Sequence, residues 1–307
     1  MSQIPNSSIL KQQLSVGNVI NVTLNLYRAN FKLYLRLSCF AYLWLLIPLY
    51  GWAKFLSISA LISRLTFSQL IGQTESVKEA RRYIKPRIWS FLFITILLLI
   101  LFFVALFISF ILTGFLLLAT RFEKVIAPLE VVSDEGFVRS NLLMATLFLI
   151  VLFLILLFLL TCLFVPTLWL YSRFFITELP LAAEVNVNLK KTLCRSWKLT
   201  KGYFWRIQTI LILTMFLILP IELLIYLLGE AINVITLKVM PGLISLYPGV
   251  DSIVGEVFFW AIAIVNAVML MPFFQAIKAV VYYNLRLRRE GLGLRLRDNA
   301  LSSESVQ

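Results

Sequence analysis

The chain has 307 residues, 61% of them hydrophobic and 14% charged, against about 45–50% and about 25% in ordinary soluble proteins. A water-soluble fold of this size cannot hide that much apolar surface, so lipid must form part of the solvent and a pair of soluble domains is excluded. Histidine is absent, which removes the commonest general base, proton shuttle and zinc ligand, and 28 basic against 15 acidic residues give a net charge of +13.

The first 30 residues lack a compact apolar run followed by an A-x-A site, so no cleavable signal is expected. Over 16–28, Val16, Val19, Ile20, Thr23 and Tyr27 fall on one side of a helix. Asn18, Asn21, Asn25 and Arg28 fall on the other, and Ser15 is placed as N-cap. That pattern predicts a helix lying on the membrane surface. Two crossings follow at 34–53 and 54–72, with Pro48 and Gly51-Trp52 marking the turn; the alternative is a re-entrant hairpin, because only about 37 residues serve both.

Ser76-Val77-Lys78-Glu79 reads as a capping box that opens a second surface helix, 77–85. Its Val77, Ala80 and Ile84 oppose Lys78, Glu79, Arg82 and Lys85. Two runs of 33 uncharged residues come next, 88–120 and 140–172. Each reaches about 50 Å as a helix, beyond a hydrocarbon core of about 30 Å, so both must tilt, kink or protrude. Pro166 offers the second a kink point. Asn188 is placed to cap a third surface helix, 189–201, with Leu189, Leu193 and Trp197 opposite Lys191, Arg195 and Lys198. The fifth crossing, 207–229, carries Glu222, and the sixth, 257–283, leads into a basic tail, 284–307. Pro48, Pro220 and Pro272 are expected to interrupt three of these crossings.

The expected architecture is all-α: one polytopic membrane domain over 1–307 with six transmembrane helices and three cytoplasmic amphipathic surface helices. With both termini inside, the inner segments hold 21 Lys and Arg and a net charge of +14, against five and −2 outside. This asymmetry obeys the positive-inside rule and predicts an N-in, C-in topology. The surface helices also break alike before the crossing that follows. The junctions are Arg28-Ala29-Asn30-Phe31, Lys85-Pro86-Arg87-Ile88-Trp89 and Lys201-Gly202-Tyr203-Phe204-Trp205, with starts 57 and 116 residues apart. That spacing suits one and two copies of a unit made of a surface helix and a transmembrane hairpin. A basic residue beside an aromatic anchor also arises wherever an inner loop enters a membrane.

Chemistry-bearing groups are few. Arg64, Glu222 and Lys278 are the ionisable residues inside the predicted crossings. Arg64 and Lys278, near inner ends, are expected to snorkel to the interface, and Glu222, just after Pro220, to be hydrogen-bonded locally. There is no GxSxG elbow, HExxH or P-loop. Cys39, Cys162 and Cys194 lack CxxC spacing and read as small hydrophobes in packed helices. Glu130, Asp134 and Glu135 read as a solvated outer loop. No catalytic, cofactor-binding or metal-binding residue is therefore assigned, and no cofactor is expected. The basic inner helices and tail suit anionic lipid headgroups or a negatively charged membrane-protein partner, and no nucleic acid is expected.

Arg195-Ser196-Trp197-Lys198-Leu199-Thr200-Lys201-Gly202-Tyr203-Phe204-Trp205-Arg206, preceded by Leu179-Pro180 and Glu184, resembles the "RSW-L-T-G-FWR" signature of the glycerophosphodiesterase membrane-domain family and related multi-pass proteins. Tyr282-Tyr283-Asn284-Leu285-Arg286-Leu287-Arg288-Arg289-Glu290-Gly291 is similar to their closing "YYDLR-RREG-DL" motif, with Asn284 and Gly293 standing where acids are usual. SVGNVI and AYLWLLIPLYGWAKF look like versions found in photosynthetic bacteria. The resemblance implies a six-helix module of a bacterial inner membrane or an internal photosynthetic membrane. It implies no phosphodiesterase activity, since that chemistry belongs to a separate domain that uses histidine. The expected function is a non-enzymatic integral membrane module: scaffold, assembly factor or accessory subunit. The alternatives are a transporter or lipid-translocating protein and, last, a lipid-modifying enzyme.

Overall fold

The computed structural model describes residues 14–73, 75–119, 150, 153, 157–158, 161, 164–184, 187–239 and 250–291. The predicted outer loop with Glu130, Asp134 and Glu135, most of the predicted crossing 140–172, Cys162 and the tail beyond 291 lie outside the described residues. What is described is helical, with no strand among the described residues. In chain order the helices are α1 (Val16–Ala29), α2 (Phe31–Trp44), α3 (Tyr50–Leu70), α4 (Val77–Ile84), α5 (Ile88–Ala119), α6 (Glu178–Ala183), α7 (Leu189–Thr200), α8 (Phe204–Val239) and α9 (Val250–Glu290). Three segments, Val77–Phe115, Phe204–Ala231 and Glu256–Glu290, are long and apolar enough to cross a membrane. The chain packs as two compact units, Met1–Ile94 with Phe175–Gln307, and Thr95–Phe174.

In the first unit, α1 begins where Ser15 Oγ accepts the Asn18 N–H at 3.2 Å. Its periodicity is the one its sequence carries. Val19, Ile20, Val22, Thr23 and Leu26 are buried, while Asn18, Asn21, Asn25 and Arg28 are exposed. The buried face packs on α8 and α9, and the Tyr27 hydroxyl donates to the Met269 carbonyl at 2.9 Å. The helix stops at Asn30, whose side-chain amide donates to the Leu26 carbonyl at 3.2 Å.

The hairpin of α2 and α3 turns earlier than the predicted boundary at 53/54, over residues 45–49. Pro48 cannot continue a helix, Leu49 takes a left-handed backbone with φ of 58°, and the chain then doubles back tightly. A Cβ on Gly51 would sit 1.8 Å from the Trp44 carbonyl oxygen, so only glycine fits. The tip is apolar and outward-facing, with Leu46 83% exposed. At 14 residues, α2 is about 21 Å long, short of a hydrocarbon core of about 30 Å.

α4 opens on the capping box read from the sequence: Ser76 and Glu79 each bond the other's backbone N–H. Its buried residues are Ala80 and Ile84. A single 3-10 turn, Lys85–Arg87 with Pro86 inside it, separates α4 from α5. The third junction is built differently: Gly202 takes φ of +84°, which lets the chain turn between α7 and α8. All three predicted junctions therefore separate a short helix from the helix that follows.

Three expectations change. Asn188 occupies the N-cap of α7 but makes no side-chain cap bond. The buried stripe of α7 is Thr192, Ser196, Leu199 and Thr200 rather than Leu189, Leu193 and Trp197, because Arg195 turns inward to two carboxylates and takes the helix face with it. Pro220 and Pro272 lie inside continuous helices of 36 and 41 residues, so neither interrupts its crossing. Neighbouring helices re-satisfy the backbone groups that such prolines free.

The two larger of three apolar clusters form most of the described interior of this unit. One joins α1, α8 and α9 through Val19, Leu26, Ile207 and Val280. The other joins α2, α3 and α4 through Leu37, Ile62 and Ala80. Hydroxyl and amide groups stitch α2, α3 and α9 together: Ser38 donates to the Val268 carbonyl at 2.7 Å, Ser63 to Gln275 Oε1 at 2.8 Å, and Gln275 Nε2 to Ser59. Small polar residues at helix contacts let backbones approach and supply directional bonds where apolar packing has no preferred partner.

In the second unit, α5 presents Phe103, Phe107, Phe110 and Phe115 outward, each more than half exposed. Its hydroxyls bond within the helix, as Thr113 does to the Ser109 carbonyl at 2.8 Å. Residues 164–174 are helical, and the Arg173 guanidinium lies 5.0 Å from the Trp169 ring.

Candidate functional site

The polar groups of the first unit gather around the six-residue helix α6 and the last third of α9. A helix that short leaves most of its terminal carbonyls without internal partners. Here side chains from other helices take them. Arg64 of α3 donates to the Ala182 carbonyl at 2.6 Å, and Arg87 to the carbonyls of Leu181 and Glu184 at 2.7 and 2.9 Å. The Tyr83 hydroxyl also donates to the Glu184 carbonyl. Positive groups at a helix C-terminus are favoured by its dipole as well as by these bonds.

Arg64 is the best-anchored cation. It grips Glu75 through Nε at 3.0 and 2.9 Å and through Nη2 at 2.9 Å, and its guanidinium lies 3.8 Å from the Tyr83 ring centroid. Arg87 covers the same ring at 4.5 Å. Ser68 adds a bond to Glu75 at 2.9 Å. Both cations expected to snorkel have a carboxylate partner, Arg64 in Glu75 and Lys278 in Glu178 of α6 at 2.8 Å. Hydrogen bonds between ionised partners are shorter and stronger than neutral ones.

The two stretches that carry the family resemblance meet each other. Glu184 accepts from Arg195 at 3.0 Å and from the Tyr282 hydroxyl at 2.6 Å. Arg195 also reaches Glu290 at 2.6 Å, and Glu290 holds Arg286 at 2.9 Å. Burial alone would lower the Arg195 pKa, but Glu184 and Glu290 outweigh it and raise the pKa above its ordinary value. Arg289 donates to the Lys201 carbonyl and lies 5.5 Å from the Tyr203 ring. The arrangement ties α6, α7 and α9 into one ionic lattice.

Glu222 stands apart from that lattice. Both its oxygens accept from the Asn266 amide at 2.9 Å, a pair that links α8 to α9. The bond reaches across to another helix, 44 residues away in sequence, rather than being local as expected. Sequence reasoning did not assign partners to Glu75, Glu178 and Glu290. Their signal was numerical: the segments predicted to lie inside hold seven acids among 21 cations, and in a medium poor in water each acid near an apolar helix needs a donor. Cys39 and Cys194 are free thiols. Among the described residues no three His, Cys, Asp or Glu side chains cluster as metal ligands would. A crevice of about 300 Å³ opens between Phe40, Trp44, Ile58 and Ile88, with Arg81 and Lys85 on its wall.

Neither a family model, nor a curated protein, nor a solved structure matches this chain.

Proposed function

We propose that the protein is a non-enzymatic integral membrane module, acting as scaffold, assembly factor or accessory subunit for another membrane component. The observation that carries this reading is the lattice itself: Glu75, Glu178, Glu184 and Glu290 each close on a cation of the same unit. Groups engaged in this way hold helices in register; a reaction centre needs a reacting atom within reach of a free acid, base or nucleophile.

The proposal places the protein in a bacterial inner membrane with both termini inside, and its helices α1, α4 and α7 as amphipathic elements on the cytoplasmic side. The charge asymmetry supports that sidedness. The 14-residue length of α2 and the apolar tip at 45–49 support a hairpin of α2 and α3 that enters and leaves on the same side rather than crossing twice. Kinship with the glycerophosphodiesterase membrane-domain family belongs to the same proposal and rests on residues 195–206 and 282–291. A second reading, a transporter, draws support from the Glu222–Asn266 pair within apolar helices.

The test is purification of the full chain from native membranes after mild crosslinking. A membrane protein that co-purifies at fixed stoichiometry, and is lost when Arg195→Met loosens the lattice, is the expected result. Turnover of a phospholipid or phosphodiester by the purified chain would refute the reading. Uptake by proteoliposomes that vanishes in Glu222→Gln would favour the transporter.

A further inference from the structure

Among the described residues, one corner of the first unit holds positive charge with no acid paired to it. Arg206, at the start of α8, and Arg288, near the end of α9, both donate to the Leu14 carbonyl, Arg288 at 3.3 Å, and the two guanidiniums are close enough to repel each other. The Asn284 amide points at the same oxygen at 3.5 Å. A carbonyl oxygen has two lone pairs and no net charge, so it cannot satisfy three donors or neutralise two cations. Buried polar atoms are left over: the N–H donors at Nε of Arg206 and Nε of Arg288 have no partner, and neither has the acceptor Oδ1 of Asn284, a residue only 1% exposed. The nearby acid, Glu290, is already shared between Arg195 and Arg286. Two guanidiniums on neighbouring helices, each with an N–H left idle, are the donor type that a phosphate recruits.

We propose that Arg206 and Arg288, with Asn284 beneath them, hold the phosphate of one anionic phospholipid headgroup. The lipid source is favoured by Trp205, which is 80% exposed directly beside Arg206 and opens the apolar run of α8. Tryptophan at that place marks the headgroup level of a bilayer. The inference rests on the membrane reading above and adds a defined site to it. Asn284 decides whether the site exists, because a carboxylate there would give the arginine pair an internal counter-ion.

The experiment uses the full chain in mild detergent, titrated separately with phosphatidylglycerol, phosphatidylcholine and inorganic phosphate, and read by native mass spectrometry and by Tm. One phosphatidylglycerol per chain, retained in preference to phosphatidylcholine and raising Tm, is expected. Asn284→Asp, nearly isosteric and so expected to fold even if Arg206→Gln does not, should weaken that binding about tenfold, the loss of one charge-assisted contact. Lys54→Gln, a basic change near the hairpin turn and outside the basic inner helices, should leave it unaltered. Equal retention of the two lipids, or unchanged binding in Asn284→Asp, overturns the site. A Tm rise with inorganic phosphate alone, without preference between lipids, overturns the lipid source. A chain that stays monodisperse without detergent refutes the membrane reading instead.

Discussion

Arg64→Lys separates two explanations of a cation near the end of an apolar helix. A snorkelling side chain would tolerate the change, since lysine also carries its charge on a flexible stem. The geometry predicts otherwise. The guanidinium makes three contacts to Glu75 between 2.9 and 3.0 Å, one to the Ala182 carbonyl at 2.6 Å, and a stack on Tyr83 at 3.8 Å. Lysine keeps one ion pair and loses the parallel second bond, the planar stack and the reach to Ala182. With side chains only 15% and 17% exposed, water replaces little of what is lost. A charge-assisted bond contributes about 1.5–3 kcal/mol and a stacked cation about 0.5–2, so Arg64→Lys should cost about 2 kcal/mol. Arg64→Met should cost about 4 kcal/mol, because Glu75 is left half-buried with Ser68 for company. The assay is unfolding in lipid–detergent micelles by added ionic detergent, followed by tryptophan fluorescence. An Arg64→Lys protein within about 0.5 kcal/mol of wild type, the range of a neutral surface change, would refute the clasp and restore snorkelling.

Other outcomes follow from the same coordinates. In a double-mutant cycle, Glu184→Gln and Arg195→Met should couple by about 1 kcal/mol, since the pair is a third exposed at the arginine; additivity within about 0.5 kcal/mol would deny the contact. Because the Arg195 pKa is raised in the folded state, its contribution is complete below the ordinary arginine range and is lost only as pH rises beyond it. Arg195→Met should therefore cost the same at about pH 6 and about pH 9, and a cost that fades between them would contradict the assignment. Gly51→Ala should abolish folding of the hairpin, given the 1.8 Å clash with backbone, whereas Gly17→Ala, with open space around it, should leave Tm unchanged or slightly higher. Ser76→Ala should cost about 1 kcal/mol through loss of the capping box, visible as faster hydrogen exchange over α4; unchanged exchange would show that the cap is idle.

Local patterns were the most legible part of this chain. The face of α1, the Ser15 cap, the Ser76–Glu79 box and the three junctions at Asn30, Pro86 and Gly202 each depend on residues within one helical turn, so composition and spacing suffice. Rotation of α7 was not legible. Its Leu-Trp face looks apolar in isolation, but Arg195 is drawn to Glu184 and Glu290, 11 residues upstream and 95 downstream, and nothing in the local pattern encodes that pull. The hairpin of α2 and α3 was readable as a pair, while its turn was misplaced by several residues because the need for Gly51 arises from one backbone contact. The lattice was half visible: its motifs could be quoted, and Arg64 and Lys278 singled out, but their partners lie on helices far away in sequence. The arginine pair at Leu14 left one faint signal, Asn284 standing where the resembling motif carries an acid, but nothing in the sequence placed Arg206 and Arg288 beside it.

The central claim is that apolar helices lie in lipid while the cationic helices all face one side. Native Cys194, exposed on α7, tests it directly once Cys39 and Cys162 are replaced by serine, with Lys78→Cys as a second reporter on α4. In sealed, right-side-out spheroplasts an impermeant maleimide should leave both thiols unlabelled until the membrane is permeabilised, and then label both. Labelling of either thiol from outside the sealed membrane would contradict the account.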